Sequence, residues 1–349
     1  MLFDILNLNY FLVLLEGIIF VTFFPKKSKL FLAITAVQLV LLLGLRAVPV
    51  GGDTHTYSDM FFVVLNGGKV SHIEIGNQFL IWLSTRVSRE PTAMFLIYAI
   101  LTVGYVAFFI AHRSRNIVFS VVMYTGFMFY YWAFNGSRQA LAMSIGLVAI
   151  HYLLDNKAWK FLLFVLLAIS IHTSAIVLLI CWPIKAWKIK VNRNWIVWVT
   201  VVSTACVLFG RQLIALFVDL VPKYSHYLSS SYGEGGNLLH PLLYLLLFYF
   251  ICLIKQDKNC EADSFFLVLL AIGVIAYFAS IRVQIVNRMT YYFTIPIIVL
   301  LPNIVAGMPA GKRKLLTKGV LYAGISCYEV MLIAKNAQGM VPYLFFWDA

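Results

Sequence analysis

Apolar residues in this chain recur in long runs, without the alternation of a half-buried sheet. The runs cover 6–24, 30–48, 92–111, 117–134, 138–154, 195–219, 238–254, 264–281, 289–305 and 319–334. Each has about 17–25 residues, enough to cross roughly 30 Å of hydrocarbon as a helix. Ten transmembrane helices are therefore predicted. A further apolar segment at 159–183 is interrupted by the polar stretch Ser170-Ile171-His172-Thr173-Ser174. Residues 77–89 instead mix apolar and polar positions in the manner of an amphipathic helix lying on a membrane surface. The pattern predicts an all-α, polytopic membrane protein. Residues 1–349 form a single integral membrane domain, with an external loop at 49–91 that carries the amphipathic helix and a second external loop at 220–238.

Composition removes the soluble alternative. The chain is 62% hydrophobic and 12% charged, with a mean hydropathy of +0.89, so a water-facing surface would be largely apolar. The first run lacks a basic region before it and is followed by Lys26, Lys27 and Lys29, which reads as a retained span rather than a cleaved signal. Cys181, Cys206, Cys252, Cys260 and Cys327 lie in or beside apolar segments with no paired spacing, and read as small hydrophobes. No zinc spacing, P-loop or dinucleotide fingerprint appears. No cofactor, metal or nucleic-acid partner is expected.

Charge then sets the topology. Basic residues concentrate in cytoplasmic loops, so Lys26, Lys27 and Lys29 are placed inside, and alternation brings Arg113, Arg115, Lys157 and Lys160 inside too. Segment 159–183 is flanked on its far side by Lys185, Lys188, Lys190 and Arg193, so both of its ends demand the cytoplasm. A re-entrant pair of half-helices turning near His172 satisfies them, each arm reaching about 18 Å over roughly a dozen residues. Both termini then lie outside. Seventeen basic residues fall inside, of which four are Arg; ten fall outside or near outer helix ends, of which seven are Arg. Lysine serves as a topogenic charge equally well, whereas the planar guanidinium fork suits phosphate and carboxylate. The outer face is thus expected to bind an anion.

Four arginines at the ends of apolar runs carry that expectation: Arg46, Arg138, Arg282 and Arg288. Charge is costly at such depth unless it has a task. Arg138 and Gln139 open a helix, where free N–H groups already favour an anion; a plain snorkelling arginine is the alternative. Asp53 follows a glycine pair that can present its carboxylate, or it caps the next helix. Glu74 precedes the amphipathic helix and reads most simply as a solvated carboxylate. His172 stands at the helix break, either as a hydrogen-bonded core residue or lining a cavity. Arg282 and Arg288 share one loop with almost no compensating acid.

In order, the chain reads Arg46…Gly52-Asp53-Thr54…Tyr57, Glu74-x-Gly76, Asn135-x-x-Arg138-Gln139-x-x-Ala142, His172-x-Ser174-Ala175, Arg288-x-x-x-Tyr292-Phe293 and Pro342-Tyr343. This series resembles the EpsG-like branch of the Wzy-type polysaccharide polymerases, from residue 46 to the C-terminus. It departs in Asn77-Gln78 after Gly76, where the family has an aromatic, and in Ser137 before Arg138, where an aliphatic residue is usual. The resemblance implies a GT-C-like bacterial inner-membrane glycosyltransferase with its active site facing the periplasm. Its substrates would be oligosaccharide repeat units on undecaprenyl diphosphate, built into O-antigen, capsule or exopolysaccharide. It would be metal-independent, with membrane lipid and a chain-length co-polymerase as partners. On that reading Arg138, Arg282 and Arg288, with Arg46 as a fourth, hold the diphosphate, and Asp53 or His172 is the base. Tyr57, Glu74, Gln139 and Tyr292 meet the glycan.

Three rival functions fit the chain less well. A lipid-linked-oligosaccharide flippase needs charges along a path through both leaflets. An O-antigen ligase would carry a larger late external loop than this chain provides. A membrane O-acyltransferase requires a cytoplasmic histidine site, and His112 and His151 lack a partnering motif.

Overall fold

A computed structural model describes residues 12–24, 26–71, 73–220, 238–254, 260–282 and 285–348. Among them the only regular secondary structure is helical, apart from an isolated antiparallel bridge between Arg46 and Phe345. The chain is all-α and crosses the membrane several times. Four helices are long and apolar enough to span, and six shorter apolar helices accompany them. The external loop at 220–238 falls almost wholly outside the described residues.

The chain divides into two compact units: residues 1–176 with 309–349, and residues 177–308. In the first, α1 (Leu12–Phe23), α2 (Ser28–Gly44), α3 (Thr54–Leu65), α4 (Ile75–Val87) and α5 (Thr92–Arg113) precede α6 (Ile117–Gly126) and the short α7 (Phe129–Trp132). After them come α8 (Ser137–Leu154), α9 (Ala158–Ile171) and, at the other end of the chain, α16 (Lys312–Ala334). Helix α5 packs on α2 and α8, while α9 packs on α8 and α4. Every residue of α6 is buried, and so are nearly all of α8, which is why both read as continuous apolar runs without an amphipathic stripe. Asn116 begins α6 by accepting a 3.1 Å hydrogen bond from the Phe119 amide.

The second unit holds α10 (Cys181–Trp187), α11 (Trp195–Leu220), α12 (Leu239–Ile254), α13 (Glu261–Ser280), α14 (Ile285–Thr294) and α15 (Ile297–Gly307). Helix α13 is central and packs on each of the others.

The predicted run 117–134 is not one helix. It stops at Gly126, and Met128 turns the chain with a left-handed φ of 64° before α7. The break sends two tyrosines to internal acceptors: Tyr130 Oη donates to the Leu39 carbonyl (2.8 Å) and Tyr131 Oη to Glu329 Oε1 (2.9 Å). The run 289–305 is interrupted only at Ile295–Pro296, where the proline ring cannot supply a main-chain N–H, and α14 and α15 together still make a stretch, Val286–Gly307, long and apolar enough to span. Hydropathy averages over such breaks and cannot see them. Residues 49–91, expected to form an external loop, contain α3 as well as α4, the helix expected to be amphipathic. At the anticipated turn, α9 ends at Ile171, His172 is extended (φ −153°, ψ 116°), and a 3₁₀ helix runs over Thr173–Ile180.

Candidate functional site

The site in the first unit is assembled by a close approach of two helices. A Cβ on Gly76 would collide with Ser170 Oγ and lie 2.8 Å from the Ser170 carbonyl oxygen. Only glycine lets the start of α4 come this near the end of α9. That approach carries Glu74, the residue before α4, to the broken backbone after α9. Glu74 Oε1 accepts hydrogen bonds from the Thr173 amide (2.9 Å) and the Thr173 hydroxyl (3.0 Å), and His172 Nδ1 lies 3.3 Å from the same oxygen. Its other oxygen, Oε2, pairs with Arg138 Nη1 at 2.9 Å.

Arg138 stands in the first turn of α8, at the positive end of the helix dipole, an unfavourable place for a cation by itself. The Glu74 carboxylate offsets that cost. The arginine spends Nη1 on Glu74, while its buried Nε has no hydrogen-bond partner among the described residues. Its amide donates to Tyr57 Oη at 3.3 Å. The Arg138, Glu74 and His172 side chains are 23%, 17% and 18% exposed: enclosed, yet reachable. Burial raises the Glu74 pKa. The Thr173 amide, Glu74's own amide, Arg138 and His172 together outweigh it and hold the carboxyl below its ordinary value.

A second set of contacts surrounds Arg46, which is 2% exposed. Its guanidinium donates to the Leu43 carbonyl, reaches Thr54 Oγ1 (3.4 Å) and Ser137 Oγ (3.5 Å), and lies over the Phe95 and Phe134 rings at 4.4 and 5.3 Å. The C-terminal strand-like segment closes over this loop: Ala47 N donates to Leu344 O, Phe346 N to Leu45 O, and Tyr343 Oη to Leu42 O. Gly51, at φ +97° against the Phe134 carbonyl, makes the turn that Asp53 follows. Asn135 Oδ1 accepts from the Gly52 amide, and its Nδ2 donates to Gln338 Oε1 (2.6 Å).

The chain matches the EpsG family over residues 7–345. It belongs to the EpsG family. No curated protein and no solved structure matches it. Membership of the EpsG family supports a polysaccharide-polymerase type of function, and with it a role in polysaccharide biosynthesis.

Within this family member, the residues singled out in the sequence separate. Glu74, Arg138 and His172 converge, with Tyr57 one hydrogen bond away. Glu74 is not a solvated carboxylate, because α4 presses it against α9. Asp53 occupies the N-cap position of α3 but makes no capping bond, and it is exposed. Gln139 is buried in α8. Tyr292, expected to meet glycan, is 1% exposed, since α14 turns it into the interior of the second unit. Arg282 and Arg288 belong to that unit and are both exposed; Arg282 Nε donates to the Val207 carbonyl at 2.7 Å.

Sequence reasoning missed the bracing role of one departure from the family pattern, the pair Asn77-Gln78. Asn77 is fully buried and accepts a hydrogen bond from Tyr98 Oη, while Gln78 Nε2 donates to the Ile73 carbonyl at 3.0 Å. Gln78 fixes the loop that holds Glu74, and Asn77 ties α4 to α5. Two adjacent amides at the start of a helix expected to lie on a membrane were the signal available for this. Among the described residues, no group of three His, Cys, Asp or Glu side chains converges as a metal site.

Proposed function

We propose that this chain polymerises oligosaccharide repeat units carried on undecaprenyl diphosphate, at the periplasmic face of a bacterial inner membrane. The observation that carries the reading is the Arg138–Glu74–His172 constellation at the broken end of α9. Irregular backbone at membrane depth normally lines a cavity or meets a ligand. A cation balanced by a carboxylate, with further donor capacity, suits an incoming diphosphate.

In the proposed step, a sugar hydroxyl of the incoming unit attacks the anomeric carbon of the growing chain. The bond from that carbon to the diphosphate oxygen breaks, and the electron pair leaves with undecaprenyl diphosphate. Arg138 stabilises the charge developing on the leaving group; Arg282 and Arg288, in the second unit, are assigned to diphosphate binding as exposed guanidinium groups. His172 takes the hydroxyl proton. Glu74 is a poor base, being held low in pKa, but it is well placed to keep a proton on His172 Nδ1 and leave Nε2 to accept. Asp53, exposed and without a bracing partner at its carboxylate, is assigned to the glycan side together with Tyr57. Arg46 is assigned a positioning role.

The test replaces Arg138, Arg282, Arg288 and His172 singly, the arginines with Lys and Ala and the histidine with Gln, and displays surface glycan on a gel. Loss of polymerisation leaves single repeat units on the acceptor and removes the ladder. If single units vanish with the ladder, export has failed and the polymerase reading is wrong.

A further inference from the structure

Within the second unit lies a cavity of about 1300 Å³ whose lining includes none of the residues assigned to glycan chemistry. Lys185 from the last turn of α10 and Lys188, Lys190 and Arg193 from the chain that follows it line the cavity together with one acid, Glu261, from the first turn of α13. Lys185 Nζ is 3.3 Å from Glu261 Oε1, which neutralises one cation. Lys188, Lys190 and Arg193 have no ion-pair partner among the described residues. Their arrangement is built rather than incidental. Lys188 ends α10 in the left-handed region at φ 46°, a conformation rare for a residue with a Cβ, and Val191 is buried 8% exposed between its exposed neighbours. The turn and the anchor together aim three cations at one recess.

Topogenic lysines require only water. Three cations sharing a recess, without an ion-pair partner among the described residues, repel one another, and an anion relieves that repulsion. The walls identify which anion. Val191, Phe265 and Val268 make part of the lining apolar, which a free inorganic ion would not use. Nearby, Trp182, Trp187 and Trp198 are exposed, with Trp187 at 72%. Tryptophans so placed sit at headgroup level in a bilayer. We propose that this cavity receives the phosphate headgroup of an anionic phospholipid, with its glycerol and upper acyl carbons against the apolar walls. The site is independent of the glycan reaction.

The test uses the full chain in a neutral detergent and counts lipid adducts by native mass spectrometry. Phosphatidylglycerol should be retained, phosphatidylcholine at the same concentration should not, and a large excess of inorganic phosphate should leave the adduct in place. The triple change Lys188→Gln, Lys190→Gln, Arg193→Gln should weaken phosphatidylglycerol binding by roughly tenfold or more, given the contribution of each basic residue near a lipid surface. The same charge loss at Lys312, Arg313 and Lys314 should not, and Lys188→Arg with Lys190→Arg should bind like the wild type. Equal retention of phosphatidylcholine, or equal losses from the two triple variants, overturns the proposal. Displacement by phosphate overturns it in favour of a soluble anion. The wild-type comparisons stand even where the first triple variant does not fold.

Discussion

Arg46 and Arg138 began as equivalent charges beside apolar runs, and the first unit treats them in opposite ways. Arg46 is closed off by a carbonyl, two hydroxyls and two aromatic faces. Arg138 is offset by a single carboxylate and keeps part of its guanidinium accessible. That carbonyl, those hydroxyls and those rings are neutral parts of the fold itself, and exchanging them for a ligand would open the loop. Glu74 is an anion, so another anion can compete with it. What an arginine does at a membrane boundary depends on whether its partners are main chain and rings or a displaceable carboxylate.

The largest effect expected from this contrast is on activity. Arg138→Ala should lower polymerisation by roughly 10²–10³-fold, as removal of one charge-stabilising donor does elsewhere. The amount of protein in the membrane should remain close to wild type, measured by immunoblot beside the glycan ladder. Arg46→Ala should reverse that pattern. Loss of its bonds and ring contacts should cost roughly 2–4 kcal/mol, seen as a lower melting temperature and reduced protein. Any fall in polymer should follow the protein level. If Arg46→Ala protein is as stable as wild type while polymer is lost, the two arginines share a role and the contrast fails.

Smaller perturbations sharpen it. Gly76→Ala should force α4 from α9 and destabilise by roughly 1–3 kcal/mol, while lowering activity more than its stability loss explains, because Glu74 moves with the helix. The smallest effect concerns pH. The folded-state pKa of Glu74 lies below its ordinary value of 4.5, so the stability from its ion pair and hydrogen bonds is present above that value. It is lost as pH falls through the depressed folded pKa. Glu74→Gln should therefore be less stable than wild type by roughly 1 kcal/mol, a figure already reduced by solvent screening. That gap should hold from neutral pH down to about 4.5 and close only below it. Melting curves across this range check the sign; a gap that closes above 4.5 would contradict the pairing.

Much of this was legible in the chain itself. The apolar runs and basic loops predict a multi-pass helical protein, because a bilayer selects segments by length and hydropathy alone. Ser170–Ser174 marks the interruption after α9, since polar residues there have no lipid-compatible place in a continuous helix. Arg138 and His172 stand out for the same reason. The breaks at Met128 and Pro296 were not legible in hydropathy, because the residues around them remain apolar whether or not the helix continues.

What only the tertiary structure decided is pairing. Glu74 and Thr173 are 99 positions apart, and Glu74 and Arg138 are 64 apart. No local pattern reveals that Gly76 permits the approach that joins them, or that Arg46 is enclosed by Phe95, Phe134 and the C-terminal segment. The sequence by itself determined that this is a multi-pass helical membrane protein and which residues are too costly to lie idle in one. Cost is a property of a residue and its solvent, whereas satisfaction of that cost is a property of neighbours brought together by packing.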